Sequence, residues 1–156
     1  MPNLIVVGIS DLKIGASPDS LITYALGSCV GTCLYDGLAH IAGLSHILLP
    51  DSTLCNDGNV MKYADTALPA LVRAMESAGA SRLRLTAKIA GGANMFATAG
   101  IGIGERNVLS VKSVLAALRI RIVAEDTGSN YGRTVEFRAQ DGAVVVKSML
   151  HGNTTL

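Results

Sequence analysis

Between residues 26 and 46 the chain reads LGSCVGTCLYDGLAHIAGLSH, which gathers Cys29, Cys33, His40 and His46 in one short stretch. The 156 residues hold three cysteines and three histidines in all, so two of each lie here. Four chemistries suit such a cluster: a metal site, a disulfide, a cysteine nucleophile with a histidine base, or a buried hairpin that holds them as packing. The elements that carry these residues decide among the four.

Asp36-Gly37 between two apolar runs, residues 30–35 and 39–49, is a hairpin signal. With a two-residue loop Tyr35 pairs with Leu38, and Cys29 lies diagonal to His46, roughly 7–8 Å between Cα atoms. With a four-residue loop Tyr35 pairs with His40, and Cys29 lies directly opposite His46. Both loops have even length, so both keep Cys29 and His46 on one face of the sheet. Cys33 and His40 share that face. Positions four apart along a strand are separated by about 13 Å, and zinc at about 2.3 Å from sulfur cannot hold both thiolates. A single metal site from the four residues therefore requires a broken hairpin.

A disulfide framework fits poorly with an odd cysteine count. The apolar start MPNLIVVGIS lacks the basic region and cleavage site of an export signal, so a reducing cytoplasm with free thiols is the expectation. Two Cys–His pairs remain. Cys33 lies mid-strand and reads as a small buried apolar residue, and His40 beside the turn as solvent-facing or a satisfied polar group. Cys29 differs, because Gly27-Ser28 precede it and Gly31 follows, leaving room around the sulfur. GSCVG has the outline of a nucleophile elbow, although an elbow leads into a helix and here a strand follows. Cys29 and His46 are either a nucleophile with its base or two core residues facing each other. Cys55, in a polar loop, receives no role.

The rest of the chain supplies the scaffold. Hydrophobic residues make up 49% and charged residues 16%, with a net charge of +1. This composition argues for a packed fold and against nucleic acid as a partner. No apolar run reaches the roughly 18–20 residues of a membrane span, and the length suits one domain over residues 1–156. Strands are expected at 4–9, 21–26, 30–35, 39–49, 83–89, 120–124, 133–138 and 143–149, with a polar loop between the first two. One helix is expected up to a stop at Gly79, buried through Tyr63, Ala67, Ala70, Leu71, Ala74, Met75 and Ala78; with Asp65 as N-cap Pro69 falls in its first turn, and with an earlier start a kink is expected. A second spans about 105–118 on Val108, Val111, Leu115 and Leu118. Hairpins imply antiparallel pairing. The fold class is α+β, mostly antiparallel sheet with two helices packed against it.

The Gly-rich run GGANMFATAGIGIGERN invites a phosphate-loop reading. Asn107 stands where the third glycine of G-x-G-x-x-G belongs, and no Lys-Ser/Thr follows, so tight turns and close packing explain these glycines better. Met95-Phe96 is a candidate apolar contact for a substrate or partner. Arg133, Glu125 and Asp126 read as turn-stabilising charges.

The same residues belong to a longer pattern. TYALGSCV at 23–30, SHILLPDS at 45–52, KYADTA at 62–67, AKIAGGANMF at 87–96, IGERN at 103–107 and AEDTG at 124–128 with Gly132-Arg133 together resemble the CheD family of bacterial chemoreceptor glutamine deamidases. The resemblance runs over nearly the whole chain in unbroken order. It implies a cytoplasmic, cofactor-free, cysteine-dependent protein-glutamine glutaminase that converts glutamines on chemoreceptor cytoplasmic helices to glutamate. It also implies a β-sandwich with two outer helices and a papain-like site, in which Cys29 is the nucleophile, His46 the base and Thr23 the residue that orients it. Backbone N–H groups at Ser28 and Cys29, with Gly27 giving access, are candidates to hold the oxyanion, and the Ser28 side chain is expected on the face opposite Cys29. The family implies a CheC-type phosphatase as partner, so the competing function is a non-catalytic chemotaxis module that binds such a phosphatase. Ala25 and Ser129 stand where the family often has glycine.

Overall fold

The computed structural model describes residues 2–53, 57–95 and 102–156. Ten strands and two α-helices are described, in the order β1 (Leu4–Val6), β2 (Leu12–Ala16), β3 (Ser20–Leu26), β4 (Val30–Asp36), β5 (Ile41–Ile47), α1 (Ala64–Ser77), β6 (Leu85–Gly91), α2 (Ile103–Ala117), β7 (Arg121–Thr127), β8 (Arg133–Arg138), β9 (Val144–Ser148) and β10 (Gly152–Thr155). They form two five-stranded sheets, ordered β1-β3-β8-β9-β10 and β2-β5-β4-β6-β7. The architecture is α+β, as expected, but the sheets are mixed: β1 runs parallel to β3 and β6 parallel to β7, and the other pairs are antiparallel.

Alternation along β4 and β5 sorts their side chains into two cores. Val30, Leu34, Ile41 and Ile47 join Leu68, Leu71, Met75, Val111 and Leu115 under the helices. Cys33, Ala42 and Leu44 face the other way and meet Leu21, Val135, Phe137 and Val146 of the first sheet. The layers are therefore sheet, sheet, helices, and β5 is buried at all seven positions because both its faces are covered. Gly43 marks how near α1 lies, since a Cβ there would stand 2.7 Å from Met75 Sδ and 2.8 Å from Leu71 Cδ1.

The hairpin between β4 and β5 departs from both expected registers. Asp36 pairs with Ile41 and Gly31 with His46. The loop has four residues, 37–40, and begins after Asp36 instead of including it. The Asp36 carboxylate causes this. Its Oδ1 accepts the N–H groups of Leu38 and Ala39, its Oδ2 accepts that of Ser81, and Arg84 Nη2 pairs with it at 2.8 Å. Anchored from inside the strand, Asp36 caps the turn, and His40 closes it in the left-handed region at φ 53°. The loop length is still even, so Cys29 and His46 keep a common face, diagonal rather than opposite.

Helix α1 takes the earlier of the two expected starts, with Tyr63 and not Asp65 as N-cap. Pro69 is then the sixth helical residue, and its missing N–H leaves the Asp65 carbonyl without a helical donor. The buried stripe is Ala64, Ala67, Leu68, Leu71, Val72 and Met75. Ala78, expected inside, is exposed, because Leu68 and Val72 bury more apolar area than the alanines on the neighbouring face. Helix α2 buries Val108, Val111 and Leu115 as expected, and Gly104 and Asn107 with them. Strands β2 and β10 were not anticipated. Each is an edge strand with few buried residues, formed by pairing with β5 or β9 more than by its own pattern.

Candidate active site

The inter-sheet space holds three of the residues singled out above. His46, in the covered strand β5, is fully buried. Thr23 reaches it from β3 of the facing sheet, with its Oγ1 2.7 Å from His46 Nδ1. The same hydroxyl lies 2.8 Å from the Val7 carbonyl oxygen, to which it donates its one proton. Thr23 Oγ1 can then only accept from the ring, so Nδ1 carries the imidazole proton and Nε2 keeps its lone pair. Nε2 is buried and has no hydrogen-bond partner among the described residues. Burial lowers the His46 pKa from the ordinary value to about 4. At neutral pH the ring is therefore an uncharged base in one defined tautomer.

Cys29 lies one residue before β4, beyond the last rung of the hairpin, Val30 with Ile47. Its side chain is 7% exposed and packs in the inter-sheet core with Leu26, Cys33 and Ala90. Burial raises its thiol pKa, opposed by its own backbone N–H. Thiol and imidazole are both pushed toward their neutral forms, so the resting pair is thiol with imidazole and not thiolate with imidazolium. No thiol–imidazole hydrogen bond forms in this state, as is common before a substrate tightens such contacts.

The turn at residues 27–29 is held from one side. Gly27 O accepts from Ala93 N at 2.8 Å, Ser28 O from Asn107 Nδ2 at 2.9 Å, and Cys29 O from Gly92 N at 2.8 Å. The glycines after β6 permit this approach. Gly91 has φ 108°, and a Cβ there would overlap the Cys29 carbonyl oxygen. Gly92 has φ 64°, and its Cβ would overlap Val108. With the carbonyls engaged, the N–H groups of Ser28 and Cys29 meet no acceptor oxygen among the described residues, whereas Gly27 N–H already donates to Ala25 O at 3.1 Å. Ser28 lines a separate cavity of about 90 Å³ with Ala93, Asn94, Met95, Gly102, Ile103 and Gly104. Ala25, in the left-handed region at φ 59°, makes the one-residue bulge that separates Thr23 from the cysteine turn. That conformation favours glycine, and here an alanine adopts it.

The remaining candidates lie elsewhere. Cys33 is buried mid-strand, and its thiol pKa is raised above the titratable range of water-exposed cysteines by burial. His40 sits at the exposed hairpin turn with Nδ1 2.9 Å from Gln140 O and 3.1 Å from Tyr35 Oη. Among the described residues no three His, Cys, Asp or Glu side chains come close enough to hold a metal ion. Arg133 is buried and pairs with Asp126 at 3.1 Å while donating to Gly128 O at 3.0 Å, and Glu125 pairs with Lys112. Cys55, Phe96 and Gly100 lie outside the described residues. Asn107 was missed by the sequence reading, which saw only an absent glycine. Its signal was a carboxamide set among Gly104, Val108 and Val111 on the buried face of an amphipathic helix.

Comparison with known proteins identifies the family. The family model described as CheD chemotactic sensory transduction matches residues 48–148. A relative from Caldanaerobacter subterraneus subsp. tengcongensis, named probable chemoreceptor glutamine deamidase CheD, is 50% identical over 151 residues, covering 94% of this chain and 93% of its own. The chemoreceptor glutamine deamidase CheD of Bacillus licheniformis is 48% identical over 160 residues, covering 99% and 95%. A similar protein from Syntrophomonas wolfei subsp. wolfei, also named a probable deamidase of this kind, is 47% identical over 157 residues, covering 97% and 98%. The chain belongs to the CheD family.

Proposed function

We propose that this protein is a cytoplasmic protein-glutamine deamidase acting on chemoreceptor helices, with Cys29 as nucleophile, His46 as general base and acid, and Thr23 as the group that orients the imidazole. The observation that supports the reading is the Thr23 hydroxyl between Val7 O and His46 Nδ1, which leaves Nε2, without a partner among the described residues, as the ring atom able to accept a proton. The names of the relatives supply the substrate class.

His46 Nε2 takes the thiol proton as Cys29 Sγ attacks the glutamine side-chain carbonyl carbon. The carbonyl electron pair moves to oxygen, where the N–H groups of Ser28 and Cys29, neither bonded to an oxygen among the described residues, are candidate donors. As the carbonyl reforms, the C–N bond breaks, and the imidazolium gives its proton to the departing nitrogen, which leaves as ammonia. Water then attacks the thioester, with neutral His46 accepting its proton, and the C–S bond breaks to give glutamate and the thiol. Thr23 plays the part of the carboxylate in a serine triad, but a neutral hydroxyl stabilises imidazolium less.

Mass spectrometry of a chemoreceptor cytoplasmic fragment after incubation tests the reading. Specific glutamines become glutamate with the wild-type protein, and the conversion disappears in Cys29→Ala and in His46→Ala. A folded wild-type protein that converts no glutamine in several receptors overturns it and favours a module that binds a CheC-type phosphatase.

A further inference from the structure

We propose that Asn107 is a positioning residue that fixes the Cys29 turn against the His46 strand, an inference that rests on the deamidase reading of that pair. The hairpin ladder ends at Val30 and Ile47. Cys29 lies beyond it, so no rung between β4 and β5 sets its distance from His46. The next position along would bring the Ser28 and Leu48 segments side by side, each presenting a carbonyl oxygen. Two carbonyls cannot bond to each other, and a bridge between them needs one group with two donor hydrogens.

The Asn107 carboxamide is such a group. Its Nδ2 donates to Ser28 O at 2.9 Å and to Leu48 O at 3.1 Å, using both hydrogens. Ser28 is bonded directly to the nucleophile, and Leu48 follows two residues after the base. Of the three tethers on the cysteine turn, those from Gly92 and Ala93 reach only the turn itself. Asn107 also grips the histidine strand. Its side chain is fully buried, and Oδ1 has no partner among the described residues. A buried, half-satisfied amide is a poor choice for stability alone. The α2 backbone carries it to the site because Gly104, one turn earlier, lets the helix start against Ala93, where a Cβ would overlap the Ala93 carbonyl.

The test compares wild type, Asn107→Leu and Asn107→Ser. Leucine keeps the volume and removes both donors, and serine keeps one donor hydrogen on a shorter arm. With a receptor fragment as substrate, kcat is expected to fall about 10²-fold in Asn107→Leu, the scale of a misplacement of about 1 Å. KM and the pH of half-maximal rate stay close to wild type, because neither substrate contacts nor the titrating groups change. Asn107→Ser falls between the two. Amide hydrogen exchange, which needs no catalysis, quickens at Gly92 and Ala93, whose N–H groups bond to the turn carbonyls, and at Leu48 and Leu49, and not through α2. An active wild type with Asn107→Leu at full kcat overturns the proposal, as does exchange that quickens across the whole of α2. If the leucine variant does not fold, the serine variant decides by the same two readouts. A wild type that deamidates nothing defeats the deamidase reading instead, and the exchange pattern still decides whether Asn107 holds the turn.

Discussion

A single hydroxyl sets the chemistry available to His46. Thr23 Oγ1 has one proton and gives it to the Val7 carbonyl, so the bond to Nδ1 runs from ring to oxygen. Valine at position 23 has nearly the same shape and removes both bonds. Thr23→Val is expected to lower the deamidation rate by about 10²-fold or more, the usual contribution of placed acid–base catalysis. It also costs about 1–3 kcal/mol of stability for the carbonyl left unpaired. Thr23→Ser keeps the hydroxyl and most of the rate. Turnover assays with thermal unfolding separate the two losses, and a fully active Thr23→Val would remove Thr23 from the mechanism. The common face of Cys29 and His46 was legible from residue spacing, because an even loop preserves the face whatever its exact register. The threonine was supplied by resemblance alone, since it comes from another sheet and no local count connects positions 23 and 46.

At the scale of elements, the site depends on backbone shapes that particular residues tolerate unequally. Ala25 holds φ 59° in the bulge of β3, a conformation that costs a residue with a Cβ roughly 1–2 kcal/mol. Ala25→Gly is expected to raise stability by about 1 kcal/mol in denaturant unfolding, with Thr23 left in place. A loss of stability would mean that the Ala25 methyl packs better than its exposed position indicates. Gly91→Ala works in the opposite direction. Its φ of 108° and the overlap with the Cys29 carbonyl oxygen force the cysteine turn to move. The cost should exceed about 1 kcal/mol, and activity should fall more than stability predicts. Long apolar elements such as α2 were readable from periodicity. β2 and β10 were not, because an exposed edge strand is created by its neighbour's free N–H and C=O groups and needs little pattern of its own.

Across the whole molecule, the layering of helices over one sheet and that sheet over the other makes burial itself a pH sensor. His46 titrates near 4 in the folded protein and near the ordinary 6.5 when unfolded. Between these values the unfolded chain binds more protons, so stability rises with pH through the window and is lost as pH falls from about 6.5 to 4. The full effect is on the order of 3 kcal/mol. Asp36, held well below the usual carboxylate range chiefly by Arg84, adds a second loss at more acid pH. Unfolding followed from pH 7 to 4.5 should show a declining wild type and a flatter His46→Gln. Parallel curves for the two proteins would show that His46 is not neutralised by burial. Among the described residues no helix is long and apolar enough to cross a membrane.

The sequence by itself determined the element types with strong periodicity, the α+β class, and the common face of Cys29 and His46, all of which follow from short-range spacing. Tertiary structure decided what those residues can do. It brought Thr23 across the inter-sheet space and thereby chose the tautomer, it buried thiol and imidazole together so that both rest uncharged, and it carried Asn107 from the start of α2 to the open end of the hairpin. Each of these depends on contacts between segments far apart along the chain and on the loss of water around them. Local pattern specifies which face a side chain takes, while the packing of layers specifies what that face meets.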